Sequence, residues 1–241
     1  MLRIIFLFLL TGAAVWAQNL PSAQAVLEKS IAYHDPQQRW FHTQQRMTLQ
    51  QSRPDGKTDE IGIIINNKDG IFQSTAQRDS ALIENFVRGD SVSVRLNGAA
   101  EISEAQRAKY RLLPERLRRM RNYYIYLYGL PMKLRDPGTH IDPAVTLTKF
   151  ANKEVYALKV TYDETVGKDV WYFYFDPRTS ALVGYLFYHD VSKKDGEYII
   201  LQDEVAAGNI RLPKVRQWYT NGENKYLATD TIGAFVSGQD D

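Results

Sequence analysis

Alternation of apolar and polar residues runs through most of this chain, and one central stretch interrupts it. From Trp40 the residues Phe41, Thr43, Gln45, Met47 and Leu49 alternate with polar partners until Arg53-Pro54-Asp55-Gly56, a segment with turn chemistry at each place. Ile61, Ile63 and Ile65 then alternate up to Asn67-Lys68-Asp69-Gly70, a second hairpin signal, and a return strand begins at Ile71. Asp90 to Leu96 predicts a further short strand. From Glu154 the alternation returns and stays. Tyr156, Leu158, Val160 and Tyr162 mark one face of a strand, and Val170 to Phe175 is almost wholly aromatic. Asp176-Pro177-Arg178-Thr179 turns the chain into Leu182 to Tyr188; strands at Tyr198–Val205, Leu212–Tyr219 and Tyr226–Phe235 follow, separated by Gly208-Asn209 and Asn221-Gly222. Strands in unbroken local order with short polar turns predict an antiparallel meander.

Helical spacing appears twice. Ser22 can cap a helix running to about Tyr33, with Val26, Leu27 and Ile31 on one face and Pro36 ending it. Ser103, followed by Gln106, opens a helical insertion of two helices split near Pro114. In the second, Leu113, Leu117, Met120, Tyr124 and Tyr128 recur at helical spacing and are expected to face the sheet. Arg116, Arg118, Arg119 and Arg121 crowd the other positions, with Arg118 and Arg121 expected at solvent or at a cavity rim; Gly129 and Pro131 stop the helix. The order predicts an α+β fold: one strongly curved antiparallel sheet with helices gathered on one side.

The aromatic strand sets a register test. If the turn from Asp176 to Ala181 pairs Phe175 with Leu182, then Trp171, Phe173, Phe175, Leu182 and Leu186 share one face, and Tyr172, Tyr174, Val183, Tyr185 and Phe187 share the other. The first face carries no hydroxyl and is assigned to the concave side. A slip of one residue reverses the pairing.

The amino-terminal residues bear on location. Arg3, the apolar run Ile4 to Leu10, Ala13 to Trp16, and the small residues Val15 and Ala17 read as a secretory signal over 1–17, cleaved before Gln18. The apolar run stops at Gln18, Asn19 and Pro21, short of the roughly 20 residues that a membrane span needs, so no transmembrane segment is expected after cleavage. Residues 18–241 are expected to form a single exported domain, periplasmic or extracellular. No linker or repeat interrupts it.

Charge and composition then remove several classes. A net charge of +2 gives no basic footprint for nucleic acid, and no nucleic-acid partner is expected. The absence of cysteine excludes disulfides, a thiol nucleophile, cysteine-ligated zinc and a lipidated cysteine. Four histidines, at 34, 42, 140 and 189, each stand near a turn without the convergent spacing of a zinc site; they read as surface or turn residues, and no metal or cofactor is assigned. No Gly-x-Ser-x-Gly elbow is present, and Asp163 and Glu164 fall in a hairpin loop, so no catalytic residue is assigned.

The segment Asp176-Pro177-Arg178-Thr179 followed by Leu182-Val183-Gly184-Tyr185 resembles the turn and return strand of the LolA and LolB lipoprotein carriers and their relatives. Gly129-Leu130-Pro131-Met132-Lys133-Leu134, His189-Asp190 and Asp195-Gly196-Glu197-Tyr198 also resemble a secreted bacterial family of unassigned function. The resemblance implies an unclosed half-barrel with helices covering the concave side, and a cavity for acyl chains or another apolar ligand. The candidate cavity lining comprises Leu113, Leu117, Met120, Tyr124 and Tyr128 from the helix, with Tyr156, Leu158, Trp171, Phe173, Phe175 and Leu186 from the sheet. Arg118 and Arg121 would supply rim charge. The leading expectation is an exported soluble protein that binds a lipid or acyl chain, as a periplasmic carrier does. Two rivals stand beside it: a cell-envelope module that binds a protein partner and fills its core with its own side chains, and a secreted enzyme with an unfamiliar active site.

Overall fold

The computed structural model describes residues 20–238; the expected signal segment and its cleavage point lie outside these. Ser22 caps α1 (Ala23–His34), its side chain accepting a hydrogen bond from the Ala25 N–H, and Val26, Leu27 and Ile31 turn inward. A first meander follows: β1 (Gln44–Ser52), β2 (Thr58–Asn66), β3 (Ile71–Arg78), β4 (Ala81–Arg88) and β5 (Ser91–Leu96). Ser103 and Gln106 form a reciprocal capping box that opens α2 (Glu104–Tyr110). Pro114 opens α3 (Pro114–Tyr128), and Gly129 caps its end. A second meander completes the chain: β6 (Thr139–Phe150), β7 (Lys153–Tyr162), β8 (Val170–Phe175), β9 (Leu182–Tyr188), β10 (Glu197–Ala207), β11 (Ile210–Thr220) and β12 (Tyr226–Ser237).

All twelve strands form one antiparallel sheet in the order β5-β4-β3-β2-β1-β12-β11-β10-β9-β8-β7-β6. The two meanders meet where β1 pairs with β12, and β5 and β6 remain as separate edges. The sheet is therefore curved but not closed, the expected α+β half-barrel. Its concave side is covered by α3. Tyr124 stacks on Phe72 of β3 with ring centroids 5.9 Å apart, Tyr123 lies over Trp218 of β11 at 6.1 Å, and Tyr126 meets Trp171 of β8 at 5.7 Å. Beneath and beside the helix, Leu49, Ile65, Phe72, Leu158, Phe173 and Ile199 have no exposed surface, so much of the trough is packed with its own side chains.

Two strands carry little sequence signal. In β4 the inward residues Ala81, Ile83, Asn85 and Val87 are masked by outward Leu82 and Phe86, which spoil the contrast between faces. In β6, Pro143 falls inside an irregularity between Ile141 and Val145; an edge strand tolerates it because one row of its amides has no sheet partner. The first strand also begins later than its pattern, at Gln44. Trp40 is instead fully buried in the preceding turn, its backbone N–H donating to the Asp35 carboxylate at 2.8 Å.

Three sequence expectations are corrected. Leu113 does not face the sheet: Pro114 makes it the N-cap, outside the helical repeat, and it is 57% exposed while Leu112 beside it is 2% exposed. Leu186 is not concave. Phe175 does pair with Leu182, but Tyr174 pairs with Gly184, so Val183 is an extra residue in β9 and every later position changes face. Tyr185 and Phe187 thus join Phe173 and Trp171 inside, while Leu186 lies opposite Tyr172 on the convex side. Finally, His34 is not a surface residue: it stands next to a turn, as expected, but is wholly buried in the last turn of α1.

Candidate functional site

The space that side chains leave in the trough lies on the two flanks of α3. The first cleft, about 450 Å³, separates the inward faces of β1–β4 from the α2–α3 junction and α3. Its floor is a cross-strand row, Ile61–Ala76–Ile83, with the hydrogen-bonded pair Asn85 and Ser74 in the next row, Nδ2 to Oγ 3.0 Å. Leu112, Leu117, Met120 and Tyr124 form the roof. Arg78, Arg111, Arg116 and Arg119 also line it, with Gln51, Tyr110 and Tyr123, and no aspartate or glutamate is among the lining residues. Arg78 comes to the cleft because it continues the inward register of Ser74 and Ala76 along β3, and its Nη1 donates to the Tyr110 carbonyl at 3.4 Å. Arg111 adopts a left-handed backbone at the end of α2, which turns the chain so that Leu112 enters the core.

The second cleft, about 420 Å³, lies between the other flank of α3 and β7–β8, with Tyr126, Tyr162 and Trp171 facing Lys133, Asp136 and Asp169. The hydroxyls of Tyr126 and Tyr162 touch, and burial raises both phenols above their ordinary pKa. Tyr123 lines both clefts.

A buried polar group adjoins the first cleft through Gln51, whose Nε2 donates to Asp230 at 3.0 Å. Asp230 pairs in register with Arg216 across β11 and β12. Arg216 is fully buried; its guanidinium stands 3.9 Å from the centroid of the Tyr128 ring and donates to the Pro213 carbonyl at 2.8 Å. Burial raises the carboxyl pKa of Asp230, although Gln51 and Arg216 oppose the shift.

The structure separates the residues expected to line one cavity. Leu117, Met120 and Tyr124 line the first cleft, and Trp171 lines the second. Tyr128, Leu158 and Phe173 belong to the packed core. Tyr156 and Phe175 border a third hollow against α1, near Asp176-Pro177-Arg178. Leu113 and Leu186 face away from the trough. Arg118 and Arg121 reach the turn between β4 and β5: Arg118 donates to the Asp90 carbonyl from Nε at 3.1 Å and Nη2 at 2.8 Å, and Arg121 donates to the Gly89 carbonyl. They tie the helix down. The sequence pattern assigns none of the four arginines to the cleft; the inward register of β3 is the readable signal for Arg78, and spacing of three residues along one helix for Arg116 and Arg119.

The histidines have local roles. His34 accepts at Nε2 from the Leu182 N–H and donates from Nδ1 to the Arg211 carbonyl, and burial lowers its pKa to about 4, so the ring is neutral. His140 pairs with Asp163 at 2.6 Å and His189 with Asp169 at 2.9 Å, both at the surface. Among the described residues, no group of three or more metal-ligating side chains converges.

Two solved structures share the fold across nearly their whole length. A LolA superfamily protein from Nitrosomonas europaea superposes with a TM-score of 0.53 at 13% identity, covering 92% of this chain and 95% of that one. A putative outer membrane lipoprotein-sorting protein domain from Vibrio parahaemolyticus gives 0.51 at 8% identity, covering 90% of this chain and 94% of that one. At such identities the likeness establishes a LolA-like fold. No curated protein matches the chain significantly. The sequence model of a family described as "Family of unknown function (DUF6503)" matches residues 3–233.

Proposed function

The chain belongs to DUF6503, and from this premise we propose that it is an exported protein that binds a hydrophobic ligand, a lipid or an acyl chain, in the cleft between α3 and β1–β4. The observation that carries this reading is the apolar floor Ile61–Ala76–Ile83 beneath Leu117 and Met120. The volume of about 450 Å³ falls within the range of sites that hold small molecules. Each methylene moved from water to such a floor contributes about 0.8 kcal/mol, so an acyl chain gains affinity without any polar specificity. The putative lipoprotein-sorting role of the Vibrio parahaemolyticus domain supports a lipid-linked task, and the signal-like residues 1–17 support export to the periplasm or beyond. No helix among the described residues is long and apolar enough to cross a membrane.

One observation favours the rival with a protein partner: Leu158, Phe173 and their neighbours fill the middle of the trough completely. The test is binding of a fluorescent acyl probe to lipid-free exported protein, with native mass spectrometry of material as purified. Ala76→Phe places a ring on the cleft floor; it should weaken the probe at least about tenfold while circular dichroism stays unchanged. Absence of binding by the parent, or equal binding by the variant, removes this site and leaves the protein-partner reading.

A further inference from the structure

We propose that the ligand of the first cleft carries an anionic head group, a phosphate or carboxylate, held by Arg116 and Arg119 with Arg78 and Arg111 beside them. This rests on the reading of that cleft as the ligand site. The chain as a whole is nearly neutral, with 30 basic and 28 acidic residues, yet the cleft gathers four guanidinium groups and no carboxylate. Such local segregation of charge is a field that draws an anion.

The arginines of α3 divide by what they touch. Arg118 and Arg121 spend their donors on the carbonyls of the β4–β5 turn, so their place is explained by packing. Arg116 and Arg119 make no hydrogen bond or ion pair among the described residues and lie along the cleft, and Arg111 likewise has no side-chain partner there. All four arginines are exposed, so water screens their mutual repulsion, and an anion seated among them would gain attraction from each. A guanidinium presents a planar fork of N–H donors that matches the oxygens of phosphate or carboxylate.

The backbone adds to this field. Leu113, as N-cap of α3, offers no side-chain oxygen to the first amides, so the positive end of a fifteen-residue helix is left uncapped. Leu112 before it and Arg116 in its first turn both line the cleft. Glu115 shares that turn and lies outside the lining. Immediately below lie Ile61, Ala76 and Ile83. Charge at the mouth and hydrocarbon at the floor describe an amphiphile, with its head at Arg116 and Arg119 and its tail on the sheet.

The experiment is isothermal titration calorimetry of the full chain, freed of co-purified lipid, at low ionic strength. The probes are decyl phosphate, decanol and inorganic phosphate. The parent should bind decyl phosphate about tenfold or more tightly than decanol. The double variant R116Q/R119Q should reduce that preference to about twofold while leaving decanol affinity unchanged. R88Q/R95Q, which removes two arginines outside the cleft, should keep the preference. Equal binding of decyl phosphate and decanol by the parent, or a preference that survives in R116Q/R119Q, overturns the anionic head group and spares the cleft. Failure of both decyl compounds to bind overturns the cleft reading itself. Inorganic phosphate binding as tightly as decyl phosphate would make a free anion the ligand and overturn the amphiphile.

Discussion

The Nε2 of His34, in the last turn of α1, accepts a hydrogen bond of 3.0 Å from the backbone N–H of Leu182, the first residue of β9 and 148 positions away. Its Nδ1 lies 2.7 Å from the Arg211 carbonyl at the start of β11. One neutral ring thus joins a backbone N–H of β9 to a backbone carbonyl of β11 at the end covered by α1. A second proton would remove the acceptor that Leu182 needs.

Stability should therefore fall with acid through this residue. The folded pKa, about 4, lies below the ordinary 6.5, so between those values the unfolded chain binds a proton that the folded chain refuses. The contribution is fully present above about pH 6.5 and diminishes as pH falls toward 4, by about 3 kcal/mol at most. Asp230 and Glu197, whose carboxyl pKa values are raised by burial, act in the opposite sense. Comparison with His34→Gln isolates the histidine: in urea unfolding, the parent's advantage over the variant should shrink between pH 7.5 and pH 4.5. An advantage constant with pH would show that the ring titrates normally.

Gly184→Ala should destabilise by about 1–3 kcal/mol. A Cβ at this position meets the Phe150 ring and comes within 2.8 Å of the Ile199 carbonyl. Phe150 cannot withdraw cheaply, because it is stacked on Tyr174 at a centroid distance of 4.1 Å. Thermal unfolding measures the loss; an unchanged midpoint would mean that Phe150 does not cover the glycine.

The facing of α3 is tested by two leucines four residues apart. Leu117→Ala opens space in the core and should cost about 2–4 kcal/mol, whereas Leu113→Ala removes an exposed side chain and should stay within about 0.5 kcal/mol. Equal losses in denaturant midpoint would contradict the position of Leu113 outside the helical repeat.

Arg118→Ala should loosen the helix without unfolding the sheet. Two hydrogen bonds to the Asp90 carbonyl disappear, and at a half-exposed site their loss is worth about 1 kcal/mol. Hydrogen exchange should quicken in α3 and the β4–β5 turn while β7–β12 keep their protection. Uniform quickening would argue that α3 is not a separable cover.

Most of the architecture was legible because local order and alternation carried it: Ser22 and Ser103 announced their helices, and the polar turns divided the second meander correctly. The losses have particular causes. The outward Leu82 and Phe86 hid the period of β4, and Pro143 hid β6. One bulge at Val183 exchanged the faces of Leu186 and Tyr185, since sequence alternation has no means of marking an inserted residue. The candidate lining suffered from a further limit: helical spacing and strand alternation identify inward residues, but packing decides which of them leave space. Phe173 and Met120 are both inward, and only Met120 meets a cleft.

The junction of β1 with β12 governs how this molecule can assemble. Leu49 pairs with Ile232 and Gln51 with Asp230, contacts that span nearly the whole described chain, whereas every other strand pair is formed by sequence neighbours. Each meander can zip from its own turns at small entropic cost, but the seam between them closes a very long loop and must wait for the final strand. A chain emerging amino-terminus first would hold β1 with one open edge until β12 arrives. The apolar floor of the first cleft borders that seam through Ile61, the partner of Leu49, so the cleft reaches its final form only with the last strand to be made. Truncation before Tyr226 would leave two hairpin arrays without a common trough.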